Sequence, residues 1–426
     1  MAYRALVPLP LLLWGTFALH EGMRGSPYDA ALLDPGPRAG APTIRVGLSA
    51  HLAAASVPVA VAGPFRVTDE TGGEALLDRS PDGSRLEPCA AEPRARGIAV
   101  GRLFFERDVV RIRPLRPGTL QVGTRTYAGD LLLILHDGKL NAVNEAGVEE
   151  YVAGVLPREM SLDSFPAPAL RAQAIAARTY ALFELRTGVV RERTVGFDVY
   201  DDDRSQVYGG ITAVDAEARR IAGETAGIVA TWRGRVFKAY FHSTCGGRTV
   251  PSWDVFHDTK MAPLAGTDCG ACGDSPFYRW SAAFGKDEVR ARLPDGLDFR
   301  GKVRSVRVVS TIPKSDYAAE IEIGGERGLK VRIDAPAFRL ALLRGEPAAS
   351  AESAEGRRAQ SDKRRSILSL CFTVKDAGAS IVLEGRGWGH GVGLCQTGAR
   401  GLARAGASAE AILQHYYPGG EIVRVY

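Results

Sequence analysis

The sequence predicts an α+β protein, with a β-rich amino-terminal domain followed by a larger mixed α/β body holding a central cleft. Three observations lead there. Short runs of β-type residues separated by turn residues fill positions 44–144. A helical stretch rich in Ala, Leu, Gln and Arg then lies between Pro168 and Gly188. Beyond it, further β-type runs frame a Cys-rich section and a Gly-alternating loop near the carboxy terminus.

The totals set the class. A chain of 426 residues has room for two or three domains. Its 45% hydrophobic and 24% charged residues are those of a globular protein. The net charge of +5 is mild, and basic residues are scattered apart from Lys363, Arg364 and Arg365. No nucleic-acid partner is therefore indicated, whereas an acidic polymer is compatible with the balance. Arg4 precedes an apolar run over 5–18, and polar residues begin at His20. That run is short for a membrane span and has the layout of a secretory leader, with Thr16 and Ala18 offering a small-residue cleavage site. Residues 1–20 are expected to be a signal peptide or anchor, and the protein to be exported to the periplasm or cell envelope. The Gly-, Pro- and Ala-rich residues 21–43 read as a linker.

In chain order, β-type runs occupy 44–48, 57–62, 65–67, 109–113 and 131–135, with turn signals at Pro81-Asp82-Gly83 and Pro117-Gly118. A short helix is expected over 145–156, with Val148, Tyr151, Val152 and Val155 on one side. Glu159 is expected in a loop flanked by Pro157, Pro166 and Pro168. Pro168 suits the first turn of the next helix and Gly188 its end. Leu170, Ala174, Ala177, Ala181 and Leu185 would form its buried face, bordered by Gln173 and Arg178. An acid on a rigid turn, beside a guanidinium and an amide from the adjacent helix, composes a candidate active site. A solvated Glu and an ion-paired Arg are the plainer reading of the same residues.

The polar stretch 197–210 carries Asp198, Asp201, Asp202, Asp203, Gln206 and Tyr208. Its acids could bind a cation, serve as a second catalytic carboxylate, or form a solvated turn. Asp215 is placed to cap a helix reaching Gly223, and 228–232 with 236–241 read as a hairpin across Arg233-Gly234. Further strands are expected at 303–310, 318–323, 329–333, 372–375 and 381–383. Residues 343–366 read as a flexible insertion; a helix over 398–415 and a strand over 422–425 close the chain.

Two constellations carry possible chemistry. Cys269 and Cys272 have the two-residue gap that lets both thiolates reach one tetrahedral metal. Cys245 precedes two glycines and Cys395 follows the Gly-alternating loop. A structural zinc site from Cys245, Cys269, Cys272 and Cys395 is expected, with His242 or His257 as substitute ligands. Disulfides fit the six cysteines equally well, and free buried thiols are the remaining alternative. In residues 385–396, five glycines occupy every second position from Gly385 to Gly393. The loop lacks the Lys-Ser/Thr of a phosphate-binding loop and the spacing of a dinucleotide fingerprint. Trp388 could stack on a sugar ring and His390 bond its hydroxyls, or the Trp could simply pack within a tight loop.

These motifs, taken in order, resemble the stage II sporulation protein D (SpoIID)/LytB family. The likeness runs from about 44 to 426, interrupted by the insertion. It rests on 140–144, on 151–160 (YVAGVLPREM), on Ala172-Gln173-Ala174 with Ala177-Arg178-Thr179-Tyr180, and on 205–210 (SQVYGG). Gly246-Gly247-Arg248-Thr249, the loop 385–396 with Thr397-Gly398-Ala399, and 413–419 (LQHYYPG) complete it. The resemblance implies a lytic transglycosylase acting on peptidoglycan, needing no cofactor for its chemistry, with Glu159 as catalytic acid/base and Arg178 and Tyr180 in the cleft. The expected substrate-binding set is Gln173, Arg178, Tyr180, Gln206, Tyr208, Trp388, His390 and Gln396. Other relatives are described as amidase enhancers, which implies a non-catalytic wall-binding alternative with a cell-wall amidase or membrane partner. A third reading pairs Glu159 with an acid among Asp198–Asp203 in a two-carboxylate hydrolase. Some relatives carry a His/Cys zinc cluster in the region matching 200–208, where this chain has Tyr200 and Ser205.

Overall fold

The computed structural model describes residues 40–71, 75–78, 85–115, 118–343 and 367–426. The expected leader, most of the linker, the turn at Pro81-Asp82-Gly83 and the insertion past 343 lie outside the described residues. Strands and helices occur in separate sheets and bundles without a closed barrel, an α+β fold. Compactness divides the described chain after Ala239: the residues up to that point together with Glu421–Tyr426 form a first unit, and Tyr240–Gly420 a second. This differs from the expected boundary at 144. The first strand, Thr43–Gly47, is flanked both by Lys139–Gly147 and, in parallel, by Val199–Tyr200, so the β-rich segment and the helices after it share one unit.

The first unit holds a seven-stranded sheet in the order Val199–Tyr200, Thr43–Gly47, Lys139–Gly147, Asp130–His136, Val109–Pro114, Phe65–Thr68, Ala75–Asp78. A six-stranded sheet runs Arg125–Tyr127, Thr119–Val122, Val57–Ala62, Leu86–Arg94, Gly97–Val100, Leu103–Phe105. Strands Asp130–His136 and Lys139–Gly147 turn through Asp137-Gly138, both at positive φ (48° and 69°), the geometry that matches strand twist in a two-residue hairpin. Lys139–Gly147 runs past the expected end at Asn144. Glu145 is held extended between Arg45 and Asp130 in the ladder, and its carboxylate bonds Arg45 (2.8 Å) and Arg111 (2.6 Å).

Helix α1, Val148–Glu159, therefore starts three residues later than expected. Its expected inward side, Val148, Tyr151, Val152 and Val155, is buried. Glu159 is its last helical residue instead of a loop residue: the Met160 N–H bonds Leu156 O at 2.9 Å, so helical bonding continues past Pro157. Helix α2, Ala167–Thr187, has Pro168 in its first turn, and Gly188 ends it at φ 65°, donating to Glu184 O. Leu170, Ala174, Ala177 and Ala181 are buried as expected and Leu185 is half-buried. Burial also extends round almost the whole helix from Ala169 to Glu184, because α1, the helix Ala216–Glu224 and strand Ile228–Trp232 all pack on it. Each large apolar side chain so enclosed, such as Leu170, Ile175 or Leu182, contributes about 1.5–3 kcal/mol. Helix α3 is Val189–Arg193. Helix α4, Ala216–Glu224, is capped by Asp215, whose carboxylate accepts from the Ala218 N–H at 2.8 Å.

The second unit contains helices α5 (Ser252–Val255), α6 (Lys286–Arg292), α7 (Ala335–Leu343), α8 (Gln396–Arg404) and α9 (Ala409–Tyr416). One helix was expected over 398–415; Gly406, at φ 94°, breaks it and Ser408 caps the second piece. Strands Trp280–Gly285, Ser380–Gly385 and Phe372–Ala377 form one sheet and Ser305–Thr311, Ala318–Gly324 and Lys330–Asp334 another. Their shared core includes Phe284, Ile321, Phe338, Ile381 and Leu383. The expected 228–241 hairpin closes at Arg235–Val236, while Phe241–His242 pairs in parallel with Leu394–Cys395. Among the described residues no helix is long and apolar enough to cross a membrane.

Candidate functional site around Glu159

Glu159 is half-buried at the carboxy-terminal end of α1. Its Oε1 accepts the Val207 N–H at 2.9 Å, which ties the carboxyl to the segment 205–210. Two glycines make that contact possible. A Cβ at Gly154 would lie 2.5 Å from the Tyr208 ring and 3.0 Å from Gly210 O. A Cβ at Gly209 would meet Ala213 at 2.7 Å and the Arg158 side chain at 3.1 Å. With both absent, the Gly209 N–H reaches Gly154 O at 3.1 Å, and the loop lies flat on the helix. Tyr208 locks it: the ring packs on Tyr151 at 5.1 Å, and the hydroxyl donates to Asn144 Oδ1 at 3.0 Å. Asn144 in turn donates to the carbonyls of Ala128 and Asp130. The spaced motifs around 140–144, 151–160 and 205–210 are thus one contiguous scaffold beneath Glu159.

Arg178 does not border a cleft. It is fully enclosed, and its guanidinium holds Glu149 through Nε at 2.9 Å and Nη2 at 2.5 Å. Its remaining donors go to the carbonyls of Ile228 and Ala222. Glu149 also accepts from the Gly227 N–H and the Tyr426 hydroxyl. Burial alone would raise the Glu149 pKa, but these bonds, led by Arg178, hold it below the usual carboxylate value. Arg178 is a staple joining α1, α2 and the strand at 228, and the expected glycan contact is corrected on that ground.

Gln173 and Tyr208 are corrected likewise, since neither exposes any surface through which a polymer could be touched. Both amide atoms of Gln173 lack a hydrogen-bond partner among the described residues. Gln206 is 1% exposed and donates from Nε2 to Ala177 O at 3.2 Å, so it fastens the loop to α2. Tyr180 is buried beside Lys238, whose ammonium lies 5.1 Å over the ring, and its hydroxyl is bonded to Lys238 and Ser205. Burial foremost, with Glu184 adding, pushes the Tyr180 hydroxyl up to about 12. Lys238 pairs with Glu184 at 2.6 Å, both largely shielded from water. Tyr151, Tyr180, Glu184 and Glu159 form one electrostatic neighbourhood: burial first, then these three residues and Tyr208, raise the Tyr151 hydroxyl well above its ordinary value.

Sequence reasoning missed Lys238, Glu184 and Glu149. Glu184 carried a usable signal, a charge within the apolar run Tyr180 to Leu185 that must find a partner. Nothing along the chain named Lys238 as that partner.

The acids after Phe197 are committed elsewhere. Asp198 accepts from the Arg45 N–H at 2.9 Å and from Arg191, and Asp201 from the Ser49 N–H at 2.8 Å. Asp202 pairs with Arg204. Asp198 and Asp201 pin the turn to the sheet edge, so these three acids lend no support to the two-carboxylate reading or to a cation site here, while Asp203 is exposed.

The remaining expected contacts lie in the second unit. Trp388 sits edge-on against Phe277 at 4.5 Å, with its backbone bonded to Thr244 in both directions. His390 uses both ring nitrogens internally: Nδ1 accepts from the Val392 N–H and Nε2 faces Phe241 O, each at 3.0 Å. That leaves no ring nitrogen for a sugar hydroxyl. Gln396 opens α8 and is 6% exposed. Gly246, Gly247 and Arg248 line a cavity of about 460 Å³ with Lys314, Tyr317 and Arg386. Cys245, Cys269, Cys272 and Cys395, the four expected metal ligands, converge on one point. His242 and His257, weighed as substitutes, are not in that group; His242 turns Nδ1 to Val392 O at 3.0 Å.

Comparison with known proteins follows the same motifs. The profile of the SpoIID family, described as stage II sporulation protein, matches residues 136–232, the segment holding Glu159, Arg178 and Gln206. An uncharacterized protein of Brachyspira hyodysenteriae is 33% identical over 297 residues, 70% of this chain and 72% of that relative. Stage II sporulation protein D of Bacillus amyloliquefaciens is 25% identical, over 66% of this chain and 76% of its own length. The amidase enhancer of Bacillus subtilis is 26% identical over 62% of this chain, which covers 39% of that longer protein. The scaffold that seats Glu159 is thus built from the segment the profile recognises, and the chain belongs to the SpoIID family.

Proposed function

We propose that this chain acts on the cell wall as an exported lytic transglycosylase. It would cleave the bond between N-acetylmuramic acid and N-acetylglucosamine in glycan strands stripped of stem peptides. The observation that carries the reading is the seat of Glu159, a half-buried carboxyl whose orientation is fixed by the Val207 N–H, while the guanidinium of Arg178 is committed to Glu149 at the other end of α1. One carboxyl suffices for this chemistry. Glu159 donates its proton to the glycosidic oxygen as the C1–O bond breaks, and the carboxylate then takes the proton of the muramoyl 6-hydroxyl. That oxygen attacks C1 and closes a 1,6-anhydro ring, so neither an activated water nor a second carboxylate takes part. The commitment of Asp198, Asp201 and Asp202 to structural bonds agrees with a one-carboxylate mechanism. The test is incubation with denuded glycan and mass analysis of the products. Anhydro-muramoyl ends are expected from the native protein, and Glu159→Gln should lower their formation by about 10²–10⁴-fold with glycan binding retained. Unchanged turnover in that variant would remove Glu159 from the mechanism.

A second reading is favoured by the similarity to an amidase enhancer. In it the chain binds the wall and stimulates a cell-wall amidase without cutting glycan. Intact strands, retained binding and faster stem-peptide release by an added amidase would establish it.

A further inference from the structure

We propose that Cys245, Cys269, Cys272 and Cys395 form a closed four-thiolate site for one structural zinc ion in the second unit. The four sulfurs all lie within 4.8 Å of one another, and their residues are at most 2% exposed. Cys245 Sγ and Cys272 Sγ are 3.6 Å apart, and none of the six cysteines is bridged. A tetrahedron with zinc–sulfur bonds of ~2.3 Å has edges of about 3.8 Å, which this spacing matches.

Backbone bonding assembles the cluster. Pairing of Phe241–His242 with Leu394–Cys395 brings Cys395 beside the chain leading to Cys245. The Cys269 N–H bonds Gly247 O at 2.9 Å and so docks the Cys269-Gly270-Ala271-Cys272 knuckle there. Gly270, at φ 64°, makes the tight turn between the two thiols. Helix α8 lies on the knuckle at two glycines. A Cβ at Gly398 would be 2.5 Å from Cys269 Sγ, and one at Gly401 would be 2.1 Å from Ala271 O. Arg400 and Arg404 on α8 both reach Asp274 just past the knuckle, at 3.1 Å.

Donors around the sulfurs are those a thiolate needs. Cys395 Sγ accepts the N–H groups of Cys245 and Gly398, each at 3.3 Å, the latter at the amino-terminal end of α8. The Tyr416 hydroxyl stands 3.1 Å from Cys269 Sγ. Such outer contacts orient ligands and offset the negative charge of a tetrathiolate. Binding exchanges four thiol protons for one Zn²⁺ and involves no electron transfer. Four sulfur ligands fill the tetrahedron and leave no position for water or substrate, so the role is to staple the 245 loop, the knuckle and α8 together. This inference stands apart from the glycan reading, since it concerns neither Glu159 nor its unit.

The full-length protein, purified under reducing conditions with a tag free of metal ligands, is to be assayed for metal by mass spectrometry. One zinc per chain is expected, released in step with mercurial titration of four thiols. Cys269→Ser with Cys272→Ser should lose the metal, while Cys89→Ser and Cys371→Ser keep it. In case the double variant fails to fold, cobalt-substituted native protein provides a second readout: thiolate-to-cobalt charge-transfer and tetrahedral d–d bands are expected. Metal-free protein lighter by four hydrogens, meaning two disulfides, would overturn the proposal. So would metal-free protein with all thiols open to alkylation, or iron in the place of zinc.

Discussion

The two units bury polar groups in contrasting ways. In the first, each enclosed cation is matched by a carboxylate from another element: Arg178 with Glu149, Lys238 with Glu184, and Arg111 with Asp130 and Glu145. In the second, four buried sulfurs are gathered by glycine turns and backbone bonds, with N–H and hydroxyl donors around them. The first arrangement is complete as it stands, because opposite charges offset each other's desolvation. The second would gain most if the sulfurs ionised around a cation, as proposed. One unit thus fixes its loops by internal charge pairs, while the other gathers four thiols at glycine turns.

Removing one partner of a pair in the first unit should break that contrast most severely. Arg178→Met leaves Glu149 without its main partner between two helices and should cost about 3–5 kcal/mol, read as a lowered denaturation midpoint. The zinc content of the second unit should be unaffected; a loss of metal with this change would mean that the two centres are coupled. A smaller effect is expected from Gly154→Ala. The new methyl would stand 2.5 Å from the Tyr208 ring, and relieving that clash should cost about 1–3 kcal/mol. Because the displaced segment carries the Val207 N–H, glycan cleavage should fall more than stability does, measured as turnover of folded protein. Equal losses would argue that the loop is only structural.

The smallest effect separates the units by solution conditions. Glu149 has its folded pKa held below the unfolded value of about 4.3, so its contribution is fully present above that pH and disappears as pH falls through the folded value. The Arg178→Met variant should therefore show a shallower loss of stability below about pH 4 than the native protein. Chelator, by contrast, should act on the second unit alone at neutral pH. Identical acid profiles for the two proteins would show that the pair is not what acid disrupts.

Much of the local architecture was legible in the residues. Pro168 and Gly188 marked the ends of α2 and Asp215 the cap of α4, because each depends on φ preference or side-chain reach over a few residues. Element ends were less legible where neighbours decided them. Glu145 read as the start of a helix, and cross-strand bonding to Arg45 and Asp130 made it strand instead.

By itself, the sequence determined most helical and extended segments, through propensity and periodicity, which act locally. That the motifs belong together and that Glu159 is the acid to examine followed from the resemblance to a known family. Only the tertiary structure decided that Arg178, Gln173 and Tyr208 are enclosed framework, that both His390 nitrogens are occupied, and that Lys238 answers Glu184. Whether a polar side chain faces a partner or a ligand depends on groups brought in from tens to hundreds of residues away. No short-range pattern encodes which of those groups arrives.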